Sequence, residues 1–531
     1  MLLSRREAFA GAGAFGLMGL AGCAPSGQDG ARGTLVMGFA PEPPTLTSAA
    51  TTAGPTQAIS AKIFDGLVTF DAHANPRPQL ALSWETAPDG LAITFHLRPN
   101  VQWHDGEPFT SADLSYSLLE VWRKFHGRGR STFATVTAVE TPDPLTAVIR
   151  LAKPAPYLLA ALGSPESQII PRHIYAGKDV LSNPAGNAPI GSGPFRFGEW
   201  RRGEFIRLER NPHYWAPDQP RLDGIIFKLL SDPAAAAAAL ETGEIHLVTS
   251  TQVSLNDIER LKALPGIQVL DRPAGFTAGL SVFEFNLDRP ALRDVRIRQA
   301  FAHAIDRQFL LERVWHGYGT IENSPIPRSL AAFSDPSVPQ YPYDPGKAGQ
   351  LLDAAGLKPD GQGIRLRLRH DPAPTGDMLQ KSALVIRDNL RKVGIDLQIR
   401  TSDFPSFLKR VYTDRDFDTI LYSASAGPDP AIGTQRFYWS RNFEPGVVFS
   451  NGAHYVNPRV DALLEQAQQE GDAERRKALY RTFQQQVEQD LPRIPLIAGA
   501  AVTIASSRVR NLPDTAYGML DNFAGVSLDP A

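Results

Sequence analysis

The chain of 531 residues contains a single cysteine, Cys23, so no disulfide can form within one molecule. After residue 22 there is no run of eighteen apolar residues, which excludes a membrane-spanning helix from the rest of the sequence. The common catalytic signatures are missing too. There is no GxSxG, and its nearest approach, Gly191-Ser192-Gly193, lacks the spacing and runs into Pro194, as suits a rigid turn. A P-loop is absent, and the eleven histidines are scattered without HExxH or CxxC. One GxGxxG exists, at Gly11, Gly13 and Gly16, but no strand precedes it and it lies in a segment that reads as cleaved. Neither sign of charge dominates: 54 Lys and Arg against 56 Asp and Glu leave a formal net charge of −2, which implies no basic patch for nucleic acid. No catalytic residue and no cofactor is therefore expected.

What is present begins with an address. Arg5 and Arg6 form a positive region, and Ala8 to Leu20 is an apolar stretch too short to span a bilayer, as in a secretory signal. Leu20-Ala21-Gly22-Cys23 resembles a lipobox, which makes Cys23 the lipidation site, and Ser4-Arg5-Arg6 with Phe9 resembles a twin-arginine signal. Residues 24–33, small and polar, read as a tether. Beyond it, 43% hydrophobic and 21% charged residues over this length predict a globular chain of two or three lobes.

The most informative stretch is Phe95 to Leu119. Phe95 and Leu97 alternate with polar neighbours as in a half-buried strand, His104-Asp105-Gly106 makes a turn, and Thr110 or Ser111 caps a helix with Leu114, Leu118 and Leu119 on one face. Similar grammar recurs downstream. Asp232, Pro233 and six alanines to Ala239 predict a helix, as do Asp344 to Gly356 and the stripe Leu379, Ala383, Ile386, Leu390. Gly394 closes that last helix directly into the strand Ile395 to Ile399, which is α/β construction. Two more helices, from Pro458 and from Ala473, lead to Pro492-Arg493-Ile494-Pro495, an extended segment.

The strand, HDG turn and capped helix resemble the signature of the extracytoplasmic solute-binding proteins of ABC importers, peptide, dipeptide and nickel class. PIGSGPF at Pro189 to Phe195, RNPHYW at Arg210 to Trp215, ETGEIHL at Glu241 to Leu247 and RDVRIRQAFAHAIDR at Arg293 to Arg307 extend the resemblance. YDPGKAGQLLDAAG at Tyr343 to Gly356 and NPRVDALL at Asn457 to Leu464 complete it. It implies a bilobal, periplasmic-binding-protein-like α/β fold with a hinge and an extra α+β subdomain. The first lobe would run over residues 34–277, with the subdomain at about 66–188, the second over 278–496, and residues 497–531 would return to the first. The implied function is that of a non-enzymatic, monomeric receptor, lipid-anchored in the periplasm or cell envelope. It captures a peptide or peptide-like solute in the inter-lobe cleft and delivers it to permease subunits of the inner membrane. Metal-chelate, opine or sugar receptors of the same fold, and a non-transport sensor or chaperone component, are the alternatives.

Peptide-binding relatives hold the ligand's amine with an aspartate in a segment resembling G-W-x-x-D. In the corresponding Tyr422 to Pro430, Ser423 replaces the tryptophan and Ala426 the aspartate. Two carboxylates are expected to substitute: Asp429, three residues on, and Glu284, in the strand from Ser281. Glu42 lies in an extended segment that the family lays along the cleft, and Tyr422, Ser425, Arg436, Tyr438 and Trp439 are candidate walls. Arg123, Lys124, Arg128 and Arg130 form a basic cluster that reads as a solvated face or a permease contact.

Overall fold

A computed structural model describes residues 33–530 except 251, 273 and 274. The segment expected to be an export signal, Cys23 and the expected tether up to residue 32 lie outside the described residues.

Two α/β lobes are built on separate sheets. Seven strands form the first, in the order Ile267–Arg272, Ala501–Ser506, Leu247–Thr249, Thr34–Phe39, Gly224–Leu229, Phe205–Arg210 and Phe195–Arg201. Thr34–Phe39 runs parallel to both its neighbours and is apolar on both faces toward its end, as a covered parallel strand requires. Six strands form the second sheet: Gly319–Ile321, Arg493–Gly499, Gly279–Phe285, Thr419–Ser425, Leu366–Pro372 and Ile395–Ile399. A separate four-stranded antiparallel sheet, spanning Ala81–Thr86 to Thr146–Leu151, belongs to an α+β part within the first half of the chain. The chain passes from the first sheet at Arg272 to the second at Gly279 and comes back between Gly499 and Ala501. That return falls later than residue 497 because Ile497 to Gly499 still pair with Gly319–Ile321.

Helix starts follow the capping residues. Asp232 accepts from Ala235 N at 2.7 Å and Asp344 from Lys347 N at 2.8 Å, each ahead of a proline in the first turn. Thr110 and Asp113 form a capping box, but the helix they open widens after Tyr116 into a π-helical turn over Ser117–Trp122. There Trp122 is buried with its indole donating to Gln168 O at 2.8 Å.

Three of the sequence signatures, the HDG turn, PIGSGPF and RNPHYW, form contacts inside the first lobe. His104 of the HDG turn accepts from Gly191 N at Nδ1 (3.1 Å) and donates from Nε2 to Gly193 O (3.0 Å). Gly193 N in turn donates to Ile63 O at 2.8 Å, and a Cβ on Gly191 would stand 1.9 Å from that same oxygen, so only glycine admits the approach. From the RNPHYW motif, Trp215 donates to the buried Asp65 at 2.7 Å, beside Gln79 and Asn522. Burial pushes the Asp65 carboxyl up to about 6 despite these donors. These motifs are the frame of the first lobe.

Candidate ligand site

Gly279–Phe285 is the central strand of the second lobe, with Thr419–Ser425 on one side and Arg493–Gly499 on the other. Glu284 lies directly opposite Arg493 and two positions along from the residue opposite Tyr422, so all three side chains share one face. Arg493 Nε donates to Glu284 Oε2 at 2.7 Å, and the Tyr422 hydroxyl donates to the same oxygen at 2.7 Å. Glu284 and Arg493 are 1% and 3% exposed. Burial raises the Glu284 carboxyl and lowers the Arg493 guanidinium, each restrained by the charge of the other. Among the described residues Arg493 Nη2 and Glu284 Oε1 have no hydrogen-bond partner although both atoms are buried.

Arg493 forms part of the wall of a small pocket that opens to solvent. Leu280, Val282 and Pro325 make an apolar side, while Ser425, Thr434 and Tyr438 carry hydroxyls. Aromatic rings surround the guanidinium: Phe437 at 4.1 Å, Tyr422 at 5.1 Å and Tyr438 at 5.4 Å from ring centroid. Thr434 Oγ1 has no partner among the described residues. The segment from Ala426 folds back tightly on itself, since a Cβ on Gly433 would stand 1.7 Å from Ala426 O.

The two carboxylates expected to hold an amine are committed elsewhere. Asp429 is gripped by Arg476 through two bonds of 2.7 Å, and its Oδ1 also accepts from Ala431 N. Glu284 is occupied by Arg493 and Tyr422. Taking an amine at Asp429, both of whose oxygens are held by Arg476, would mean breaking a buried, hydrogen-bonded ion pair, a cost of about 3–5 kcal/mol when one partner is left uncompensated.

Of the remaining candidates, Tyr422, Ser425 and Tyr438 belong to the cavity or its support, and Ser425 donates to Phe276 O at 2.8 Å. Phe276 packs on Phe70 and Tyr517 of the first lobe, so this bond lies where the lobes meet. Arg436 is half-buried, 4.5 Å from the Phe437 centroid, and has no carboxylate within ion-pair distance among the described residues. Burial, with Arg128 across from it, brings its guanidinium down to about 10. Glu42 and Trp439 stand apart from the cavity. Glu42 accepts from the Trp200 indole at 3.0 Å and from Gly203 N, and Trp439 donates to Glu465 at 3.0 Å on the helix Pro458–Gln469.

Two arginines escaped the sequence reading. Arg493 is the only charge in the buried strand RIPLIAG, and a lone arginine in so apolar a run is itself the sign of a buried cation. Arg128 was read with its basic neighbours as surface, yet it pairs with Glu166 at 2.6 Å with both side chains largely covered.

The family model for bacterial extracellular solute-binding proteins, family 5 Middle, matches residues 75–444. An ABC transporter peptide-binding protein assigned in Brucella ovis is 31% identical over 469 residues, 84% of each chain. Among solved structures, the ABC transporter-associated periplasmic binding protein DppA of Helicobacter pylori, in complex with the peptide STSA, superposes with a TM-score of 0.80 at 26% identity, covering 94% of this chain and 98% of that one. NikZ of Campylobacter jejuni, in complex with Ni(L-His), gives 0.81 at 25% identity over 93% and 98%. With the cleft, the two crossings and these likenesses together, the chain belongs to the bacterial extracellular solute-binding proteins, family 5, the receptors of ABC importers.

Proposed function

We propose that this receptor captures a small peptide-like solute in the cavity beside Arg493, closes its lobes over it, and presents the closed form to permease subunits in the inner membrane. It does so as a monomer in the periplasm, tethered by an acylated Cys23. The observation that carries the reading is the cavity itself. It combines an apolar side with a few polar groups of fixed position on the second lobe, beside the Ser425–Phe276 bond that reaches the crossing from the first lobe. Closing over a ligand removes water, and each hydrogen bond inside then counts for more. A micromolar solute requires about 8 kcal/mol in total.

Mass spectrometry of cargo released from protein purified from its native host identifies the solute. Small-angle scattering should then show a smaller radius of gyration when the cargo is added back. A protein that yields no cargo and does not compact with any small solute would end this reading. The anchor is tested separately: Cys23→Ser should leave the membrane fraction after a carbonate wash, and a variant that stays bound is not lipid-anchored through Cys23.

A further inference from the structure

We propose that the solute carries an oxyanion, a carboxylate or a phosphate, that docks on the guanidinium of Arg493 with Arg436 as a second cationic neighbour. Glu284 is then the positioning residue for Arg493. This deepens the receptor reading above and rests on it.

The charges around the cleft are unequal. Arg493 is matched by Glu284 and Arg128 by Glu166, while Arg436, next to the wall residue Phe437 though not itself on the wall, forms no ion pair among the described residues. Both free guanidinium edges are organised by one ring. Phe437 lies 4.1 Å from the Arg493 guanidinium and 4.5 Å from that of Arg436, which ties the two cations to a single hydrophobic support. Glu284 bonds only the Nε of Arg493, so Nη2 is a donor left without a partner, on a residue that forms the cavity wall. A planar guanidinium held at one edge presents its other N–H groups in the geometry that receives a carboxylate or phosphate oxygen. The Thr434 hydroxyl on the same wall, also without a partner, can donate to a second oxygen. A cationic group would meet the opposite situation: among the described residues the cavity wall carries no carboxylate, and Asp429 and Glu284 are each paired at 2.7 Å with an arginine.

The test uses the mature full-length chain, stripped of cargo by partial unfolding and refolding, with thermal shift followed by calorimetry. Four probe pools are used: N-acetylated di- and tripeptides with free C-termini, the same peptides as C-terminal amides, sugar phosphates, and the parent sugars. At least one acidic pool should raise the melting midpoint while its neutral counterpart does not, and the peptide and phosphate arms tell which oxyanion is taken. Arg436→Gln should weaken the best acidic probe by about ten- to a hundred-fold. So should the double variant Glu284→Gln with Arg493→Gln, which avoids stranding a buried carboxylate. Glu284→Gln alone should leave unchanged the ratio of affinities for the free and N-acetylated forms of the probe, a ratio that an amine anchor would shift. The oxyanion is wrong if no acidic pool binds, if amides or sugars bind as well as their acids, or if both arginine variants keep full affinity. A neutral or cationic probe that binds and compacts the protein would sink the oxyanion and leave the receptor reading standing, whereas failure of every pool together with absent native cargo would remove both.

Discussion

Asp429 and Arg476 show how a residue that sequence offers to a ligand can be spent on the fold. Their side chains are 5% and 7% exposed and joined by two hydrogen bonds, so Asp429→Asn leaves a buried guanidinium without its counter-charge. It should cost about 3–5 kcal/mol, read as a lower urea midpoint, with no change in preference between free and acetylated amines. A variant of full stability and altered amine preference would restore Asp429 as an anchor. His370 gives a second residue-level expectation. It is fully buried, stacked on Phe283 at 5.0 Å, and burial brings its imidazole down to about 3. Below about pH 6.5 the unfolded chain takes up a proton that the folded one refuses, so this residue makes stability fall as pH drops from there toward 3. His370→Phe should flatten the acid limb of stability by up to about 1.4 kcal/mol per pH unit. Urea titrations at pH 7, 6 and 5 measure it, and parallel slopes for the two proteins would contradict the assignment.

At the level of elements, local chemistry was legible and pairing at a distance was not. Asp232 and Asp344 cap the helices that their sequences predict, because a cap is settled within four residues. The π-helical turn after Tyr116 was not foreseen, since it depends on burying Trp122 against Gln168, 46 positions on. Glu284 and Arg493 are 209 positions apart and Asp429 and Arg476 are 47 apart, so nothing near either carboxylate announced its partner. The turn at Gly433 ties this scale to the site. Its missing side chain lets backbone pass against Ala426 O, and Gly433→Ala forces that turn outward. The substitution should lower stability by about 1–3 kcal/mol in a thermal melt and weaken cargo binding at the same time. If neither changes, the close approach is dispensable.

For the whole molecule, the resemblance gave the family and the two-lobed architecture, since several of its motifs are frame residues, those of the first lobe held to one another and to their neighbours: His104 with Gly191 and Gly193, Trp215 with Asp65. It did not give the ligand, because the cavity is walled by residues where this chain departs from its relatives' pattern, Ala426 among them, and by Arg493, which no quoted motif contains.

The late return of the chain has a consequence for how the protein is made. Ala501–Ser506 lies between Leu247–Thr249 and Ile267–Arg272, so until residue 506 has left the ribosome those two strands have no common neighbour and the first sheet stays split. A sheet that starts at Thr34 is thus completed only by the strand that ends at Ser506. The first sheet therefore closes only after the whole of the second sheet's sequence, up to Gly499, has been made.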